Sequence, residues 1–365
     1  MCFMNAILQP LLHCVTFYNL IKQLGLNVAY SFKTNTPLMD AFITFFNEFD
    51  EELPHQLSGK TKCRTASDAF EPVYVYDALW KKSNVDSIKG RQEDAEEFLG
   101  FLLDGLHEEL LFVRRGGKPV VRPSSPDGLT SPTSSDVTGG SSSKDTSGDD
   151  AWVEVGRKNK TATTRTTEIL ETPIVQIFGG RTRSIIKAHG DKERVTLEPF
   201  QSLQLDIAPD HVASIDDALL NLTVPETITG VTSQNLGIAV DATKQTYIDV
   251  FPSVLILHLK RFVYDQSCGA TRKLRKHVAF ETRLKVRGDV VAPGARRAGQ
   301  VVYTLFAVVN HHGKYAEGGH YTCDVYRNNE EWLRMDDENV EKVTVEDVVE
   351  EKEDRQAYML FYAKS

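Results

Sequence analysis

Gly318-Gly319-His320-Tyr321-Thr322 and, sixteen residues beyond its histidine, Asp336-Asp337 bracket the most informative run of this sequence. Tyr321 to Tyr326 and Trp332 to Met335 are aromatic and aliphatic enough to be strands, and the polar Arg327-Asn328-Asn329-Glu330-Glu331 between them reads as a hairpin loop. A hairpin folded about Asn328 sets residues whose numbers sum to 656 opposite each other, which pairs His320 with Asp336. Directly opposed residues share a face, with Cβ atoms roughly 4.5–5.5 Å apart. The expected result is an imidazole against a carboxylate, the base-and-orienter half of a catalytic triad. A bulge that shifted the register by one would offer Asp337 as the partner. A histidine beside an acid on two strands is also a common structural ion pair, and the hairpin supplies no nucleophile.

At 365 residues with 41% hydrophobic content, the chain can bury a large core as one elaborate domain or as two. The net charge of −9 and pI near 5.6 disfavour nucleic acid as a partner and suit a basic protein surface. No stretch approaches the roughly 18 consecutive apolar residues of a membrane span. Met1 to Leu12 is apolar, but no Lys or Arg precedes Lys22, and Asn5, Gln9, Pro10 and His13 interrupt the run, so it is not a signal peptide. Cys2, Cys14, Cys63, Cys268 and Cys323 are odd in number and scattered, without a Cys-x-x-Cys. That argues against a disulfide framework and a zinc site, and for a reducing compartment, the cytoplasm and also the nucleus.

Working outward, the first hundred residues read as helical. Phe3, Ile7, Leu8, Leu11 and Leu12 keep a 3.6-residue period that Phe17, Leu20, Ile21 and Leu24 continue, with a kink or opened turn expected near Pro10. Met39 to Phe49 reads as a second helix. Arg91 to Leu111 is the clearest one, with its apolar stripe from Ala95 to Leu110 and a stop at Gly116-Gly117. From 118 to 150 the composition collapses into Ser, Thr, Pro, Gly and Asp, an insert expected to be disordered. Beyond it come strand-like runs: Ile174 to Phe178, Val195 to Phe200, Leu203 to Ile207, Tyr247 to Val250, Val254 to Phe262, Tyr303 to Asn310 and Ala357 to Tyr362. One helix, Ser214 to Leu222, interrupts them.

A cysteine nucleophile needs a lowered pKa, a base within reach and some exposure. Cys2 begins the first helix, where the dipole and free N–H groups favour a thiolate. Cys14 falls mid-helix near the apolar stripe, Cys63 in a basic loop, and Cys268 in a turn. Cys323 is three residues from His320 and so on the opposite face of its strand. Elimination favours Cys2.

Together these residues resemble a known family. Cys2-Phe3-Met4-Asn5-Ala6-Ile7-Leu8-Gln9 is similar to the Cys box of ubiquitin-specific proteases. Gly318 to Tyr321 with Trp332 to Asp337 is similar to their His box. Gln92-Glu93-Asp94-Ala95-Glu96-Glu97-Phe98 resembles their intervening helix motif, and Leu257-His258-Leu259-Lys260-Arg261-Phe262 a family strand. Ala69 to Pro72, Trp152 to Gly156 and Phe178-Gly179-Gly180 resemble the branch of ubiquitin-specific protease ten and its fungal counterparts. The resemblance implies an α+β, papain-like cysteine protease fold. A helical thumb with the Cys box would span 1–117, the disordered insert 118–150, and a β-rich palm and fingers with the His box 151–365. It implies Cys2 as nucleophile, His320 as general base and Asp336 as orienter, with Asp337 as the alternative acid. Gln92, Asp94 and Tyr321 would contact the ubiquitin tail, although the acids around Asp94 equally suit a helix N-terminus. The substrate would be ubiquitin on ubiquitinated proteins, with no cofactor. Without paired Cys-x-x-Cys motifs, the fingers should be metal-free and held by packing alone.

The family's Cys box extends upstream of its nucleophile, whereas only Met1 precedes Cys2, so a truncated sequence is expected. An N-terminal extension binding a regulatory partner would lie in the absent part. Losing an oxyanion donor can cost roughly 10²–10³ in turnover. The alternatives are therefore a ubiquitin-binding pseudo-enzyme or scaffold, and a protease for another modifier with a Gly-Gly tail.

Overall fold

The unbroken apolar run Val254–Leu259 is a strand buried at every position, because helices and loops cover both faces of its sheet. A strand buried on both faces reads as a continuous hydrophobic run with no alternation. The computed structural model describes residues 1–27, 35–49, 71–83, 93–116, 153–155, 162–166, 170–188, 190–233, 235, 237–266, 269–296, 299–315, 318–327 and 331–365. The insert expected over 118–150, Gln92, Cys63, Cys268, Ala69-Phe70 and Trp152 lie outside these residues.

Five helices come first: α1 (Cys2–Leu12), α2 (Val15–Asn27), α3 (Pro37–Glu48), α4 (Val73–Ser83) and α5 (Ala95–Arg114). Pro10 sits inside α1, and the chain opens only at His13 and Cys14. Cys14, expected mid-helix, therefore lies buried between two helices. The fifth helix starts four residues later than Arg91, because Asp94 takes an extended conformation and accepts the Glu96 N–H as its cap. Buried Glu109 on α5 accepts the Leu38 and Met39 N–H groups at 3.0 and 2.8 Å, clamping the start of α3 to it. No described helix is long and apolar enough to cross a membrane.

Next in order are β1 (Val153–Val155), β2 (Ala162–Thr166), α6 (Pro173–Phe178), β3 (Gly180–Ala188), β4 (Arg194–Phe200), β5 (Ser202–Leu205), α7 (Ile215–Asn221), β6 (Glu226–Thr232), β7 (Ala239–Val250) and β8 (Val254–Leu259). They are followed by β9 (Phe262–Asp265), β10 (Ala270–Lys273), β11 (Arg283–Lys285), β12 (Val302–His312), β13 (His320–Arg327), β14 (Glu331–Asp336), β15 (Asn339–Val343), α8 (Val345–Val349) and β16 (Arg355–Lys364). Ile174–Phe178, expected as a strand, is helical. Thr172 accepts the Val175 N–H and Pro173 presets the first turn, local signals that outweigh the β-branched run.

One sheet runs β15-β14-β13-β12-β16-β8-β5 with β11 alongside β12, and a second runs β1-β2-β4-β3-β7-β6. Helices α1 to α6 build a core on one face of the first sheet, against Ile256, Val309, Tyr321, Cys323 and Phe361. The opposite face packs on α7 and the loops around Val278 to Val291. In the second sheet, packing is not the sole support. Asp191 accepts from Ser233 Oγ, the Asn235 N–H and Arg194 Nη2 at 2.8, 3.1 and 3.2 Å, and Arg194 Nη2 also donates to Thr232 O. This polar knot ties the β3–β4 turn to the strand ends near Thr232.

Candidate active site

The His320 hairpin forms in a register two residues away from the expected one. Tyr326 pairs with Trp332 and Cys323 with Met335, so paired numbers sum to 658, and continuation sets Asp336 across from Thr322. A slip of two preserves the face, since side chains alternate with a period of two. His320 and Asp336 meet diagonally instead of directly, and the imidazole Nε2 lies 2.5 Å from Asp336 Oδ1. Diagonal neighbours are roughly 7–8 Å apart at the backbone, a gap these two side chains span. At 37% and 49% exposed, the pair sits at the open ends of two neighbouring strands, where a substrate can reach it.

Asp337 is the next residue in the turn, held at φ 51. Its Oδ1 accepts Asn5 Nδ2 at 3.2 Å, which docks α1 against the end of β14. Among the described residues His320, Asp336 and Asp337 are the one cluster with metal-ligating geometry, their donor atoms within 4.8 Å. The short bond between two of them fits proton transfer better than an open coordination site.

Cys2 opens α1, which packs on β13 and reaches β12 and β14. The Met4 and Asn5 N–H groups donate to Met1 O, so the Cys2 and Phe3 amides precede any intrahelical acceptor and face outward at the positive end of the helix. Phe3 packs edge-to-face on Phe98 of α5 at 5.3 Å, fixing this end of α1 between α5 and the sheet. Cys2 as a residue is 8% exposed. Burial pushes the thiols of Cys14 and Cys323 upward, toward the inert protonated form. Cys63 and Cys268 lie outside the described residues.

The start of α5 is bound to the sheet by tyrosines. The Tyr358 hydroxyl lies 2.7 Å from both Asp94 oxygens, and the Ala95 backbone bonds to the Tyr321 hydroxyl. Burial foremost, then Asp94, raises the pKa of both hydroxyls, which stay protonated; that of Tyr358 donates to Asp94, and that of Tyr321 accepts the Ala95 N–H. Glu93 accepts from Tyr76 and Glu96 from Ser202, so three of the four acids at this helix start are engaged within the fold. Asp94 and Tyr321 thus lie close together, with Asp94 also serving as the cap. His258 and His311 pack around the same tyrosines, each with a buried Nδ1 that has no hydrogen-bond partner.

A cleft of about 890 Å³ runs along α5 toward β3 and β4, lined by Glu96, Asp104, His107, Glu171, Arg181 and Phe200. It does not include Cys2, His320 or Asp336. The sequence reading missed Asn5, His312 and Tyr358. Asn5 stands one helical turn after Cys2 and so on its side of the helix, a spacing that could have marked it. A buried tyrosine in an apolar strand requires a partner for its hydroxyl, which was the available signal for Tyr358.

The family model described as Ubiquitin carboxyl-terminal hydrolase matches residues 1–362. Ubiquitin carboxyl-terminal hydrolase 10 of Rattus norvegicus is 38% identical over 376 residues, covering 100% of this chain and 47% of that protein. Probable ubiquitin carboxyl-terminal hydrolase 3 of Schizosaccharomyces pombe is 39% identical over 380 residues, covering 100% of this chain and 72% of its own. The chain spans about half the length of the vertebrate relatives it matches. Among solved structures, the SAGA Ubp8/Sgf11/Sus1/Sgf73 DUB module bound to ubiquitin aldehyde aligns over 100% of this chain and 67% of that one. Its TM-score is 0.68 at 21% identity, a likeness of fold.

Proposed function

Because the chain belongs to the ubiquitin carboxyl-terminal hydrolase family, we propose that it is a cysteine-type deubiquitinase acting through Cys2, His320 and Asp336. The observation that carries the reading is the 2.5 Å contact of His320 Nε2 with Asp336 at the open strand ends, beside the helix that begins at Cys2. With Nε2 held by the carboxylate, Nδ1 is the ring atom left to exchange a proton with the thiol. The thiolate attacks the carbonyl carbon of the terminal glycine of ubiquitin, and the outward-facing Cys2 and Phe3 amides suit the resulting oxyanion. His320 returns its proton to the departing lysine amine as the C–N bond breaks. Water then attacks the thioester, giving up a proton to His320 and releasing the carboxylate and the thiol.

Asp94 and Tyr321, with Gln92 ahead of them in the sequence, are assigned to the ubiquitin tail, and the acidic cleft along α5 to the body of ubiquitin. No metal or cofactor enters the scheme. The scattered cysteines, of which Cys2, Cys14 and Cys323 are free thiols, suit the cytosol or nucleus. A regulatory partner would bind outside the residues that form the site.

The test is ubiquitin carrying a C-terminal alkyne electrophile, with adduct formation read by intact mass beside a Cys2→Ala control. A covalent adduct lost in the control supports the reading. Ubiquitin binding without an adduct would sink it in favour of a ubiquitin-binding scaffold.

A further inference from the structure

His312 closes β12 directly across the ladder from His320, and neither the triad nor the tail contacts use it. It is the register partner of His320, and the two rings lie 5.8 Å apart. Its Nε2 shares a 2.8 Å hydrogen bond with Oγ1 of buried Thr322, the residue that register continuation sets across from Asp336. His312, His320, Thr322 and Asp336 therefore occupy four corners of one patch on one sheet face.

His320 needs such a neighbour. It is the first residue of its strand and is preceded by Gly318, at φ 76, and Gly319, so neither preceding residue has a side chain to restrict its ring. We propose that His312 is a positioning residue for the reaction: tethered to Thr322, its imidazole backs the His320 ring and holds it in the rotamer that reaches Asp336. A hydrocarbon ring would fill the same space but leave the Thr322 hydroxyl without its bond. A permanent cation would oppose the imidazolium that His320 forms on taking the thiol proton. The charged groups around His312 are His320 and Lys273 of one sign, Asp336 and Asp354 of the other, with Arg355 its register partner on β16. Burial first, then His320, holds the His312 ring below the usual histidine range, which keeps it neutral at neutral pH.

The kinetic part of this proposal rests on the hydrolase reading; the geometric part does not. The test compares the wild-type chain with His312→Ala and His312→Gln, the latter retaining a group that can bond Thr322. Two readouts are taken: the strongly deshielded proton of the His320–Asp336 hydrogen bond by NMR, and kcat and KM for a fluorogenic ubiquitin amide. His312→Ala should lower kcat about tenfold, the cost of freeing one side-chain rotamer, leave KM unchanged, and broaden the deshielded proton away. His312→Gln should recover most of both. A wild-type spectrum without that proton, or His312→Ala retaining it, overturns the proposal. Equal impairment of the two variants with a shared fall in thermal midpoint overturns it too, as a purely structural role. If the wild-type chain hydrolyses no ubiquitin substrate, the functional reading fails alone, and the NMR comparison still decides the role of His312.

Discussion

His311 and His312 are neighbours in sequence and opposites in environment. His311 points into the face covered by α1 and α5, among Phe262, Tyr321 and Tyr358, where it is 2% exposed and its Nδ1 has no partner. His312 points to the other face, beside His320 and Thr322, at the partly exposed end of the ladder. One peptide step exchanges a low-dielectric aromatic setting for a polar one, because successive strand residues face opposite ways. The two faces carry different burdens. The α1–α5 face holds the fold and the start of α5 together, and the exposed strand ends hold the pair proposed to carry the proton transfer.

The sharpest way to break this division is to remove the base. His320→Ala should lower ubiquitin-amide hydrolysis by about 10⁴-fold or more while leaving the thermal midpoint unchanged. A comparable fall in midpoint would show that these strand ends are structural after all.

The buried interior should respond in the opposite manner. Arg261, fully buried, donates to Ala357 O, Leu274 O and Lys276 O and pairs with Glu351 at 2.5 Å. Arg261→Met takes the buried guanidinium from Glu351, which keeps only the Val278 and Ala357 N–H groups and the His277 ring, and denaturant unfolding should show a loss of about 3–5 kcal/mol. A loss below 1 kcal/mol would refute a structural burden there.

The histidines themselves offer a pH test. Burial first, then the charge of Lys273, lowers the His311 pKa from 6.5 to about 3. Between those values the unfolded chain binds a proton that the folded chain refuses, so stability falls as pH drops from 6.5 toward 3 and is unaffected above 6.5. His311→Leu should flatten that part of the stability–pH curve. An unchanged slope would mean that other groups carry it.

The smallest effect separates the two acids. Asp336→Asn should cost roughly 10²–10⁴ in kcat, through loss of the group that orients the imidazole. Asp337→Ala removes one exposed bond to Asn5, worth about 1 kcal/mol, and should cost less than about tenfold. Reversed magnitudes would make Asp337 the orienting acid.

Much of this arrangement was legible beforehand. The pairing of His320 with Asp336 followed from the hairpin pattern, even though the hairpin closes two residues away, because parity survives an even slip. The helical start, the placement of Cys2 at a helix N-terminus and the position of Cys323 on the strand face opposite His320 followed from periodicity. Local chemistry was misread where two signals competed: Ile174–Phe178 has β-branched residues, yet Thr172 and Pro173 start a helix.

Sequence by itself determined which residues can do chemistry and which face each one takes, since both follow from side-chain type and a period of two or 3.6. Only the tertiary structure decided what stands across from them. The Asn5–Asp337 contact joins residues 332 positions apart, and the Tyr358–Asp94 contact joins residues 264 apart. The Arg261–Glu351 pair and the orphaned ring nitrogens of His258 and His311 are equally products of packing. Local patterns carry no information about such distant partners, because whether a polar group is satisfied or stranded depends on the neighbours that folding brings to it.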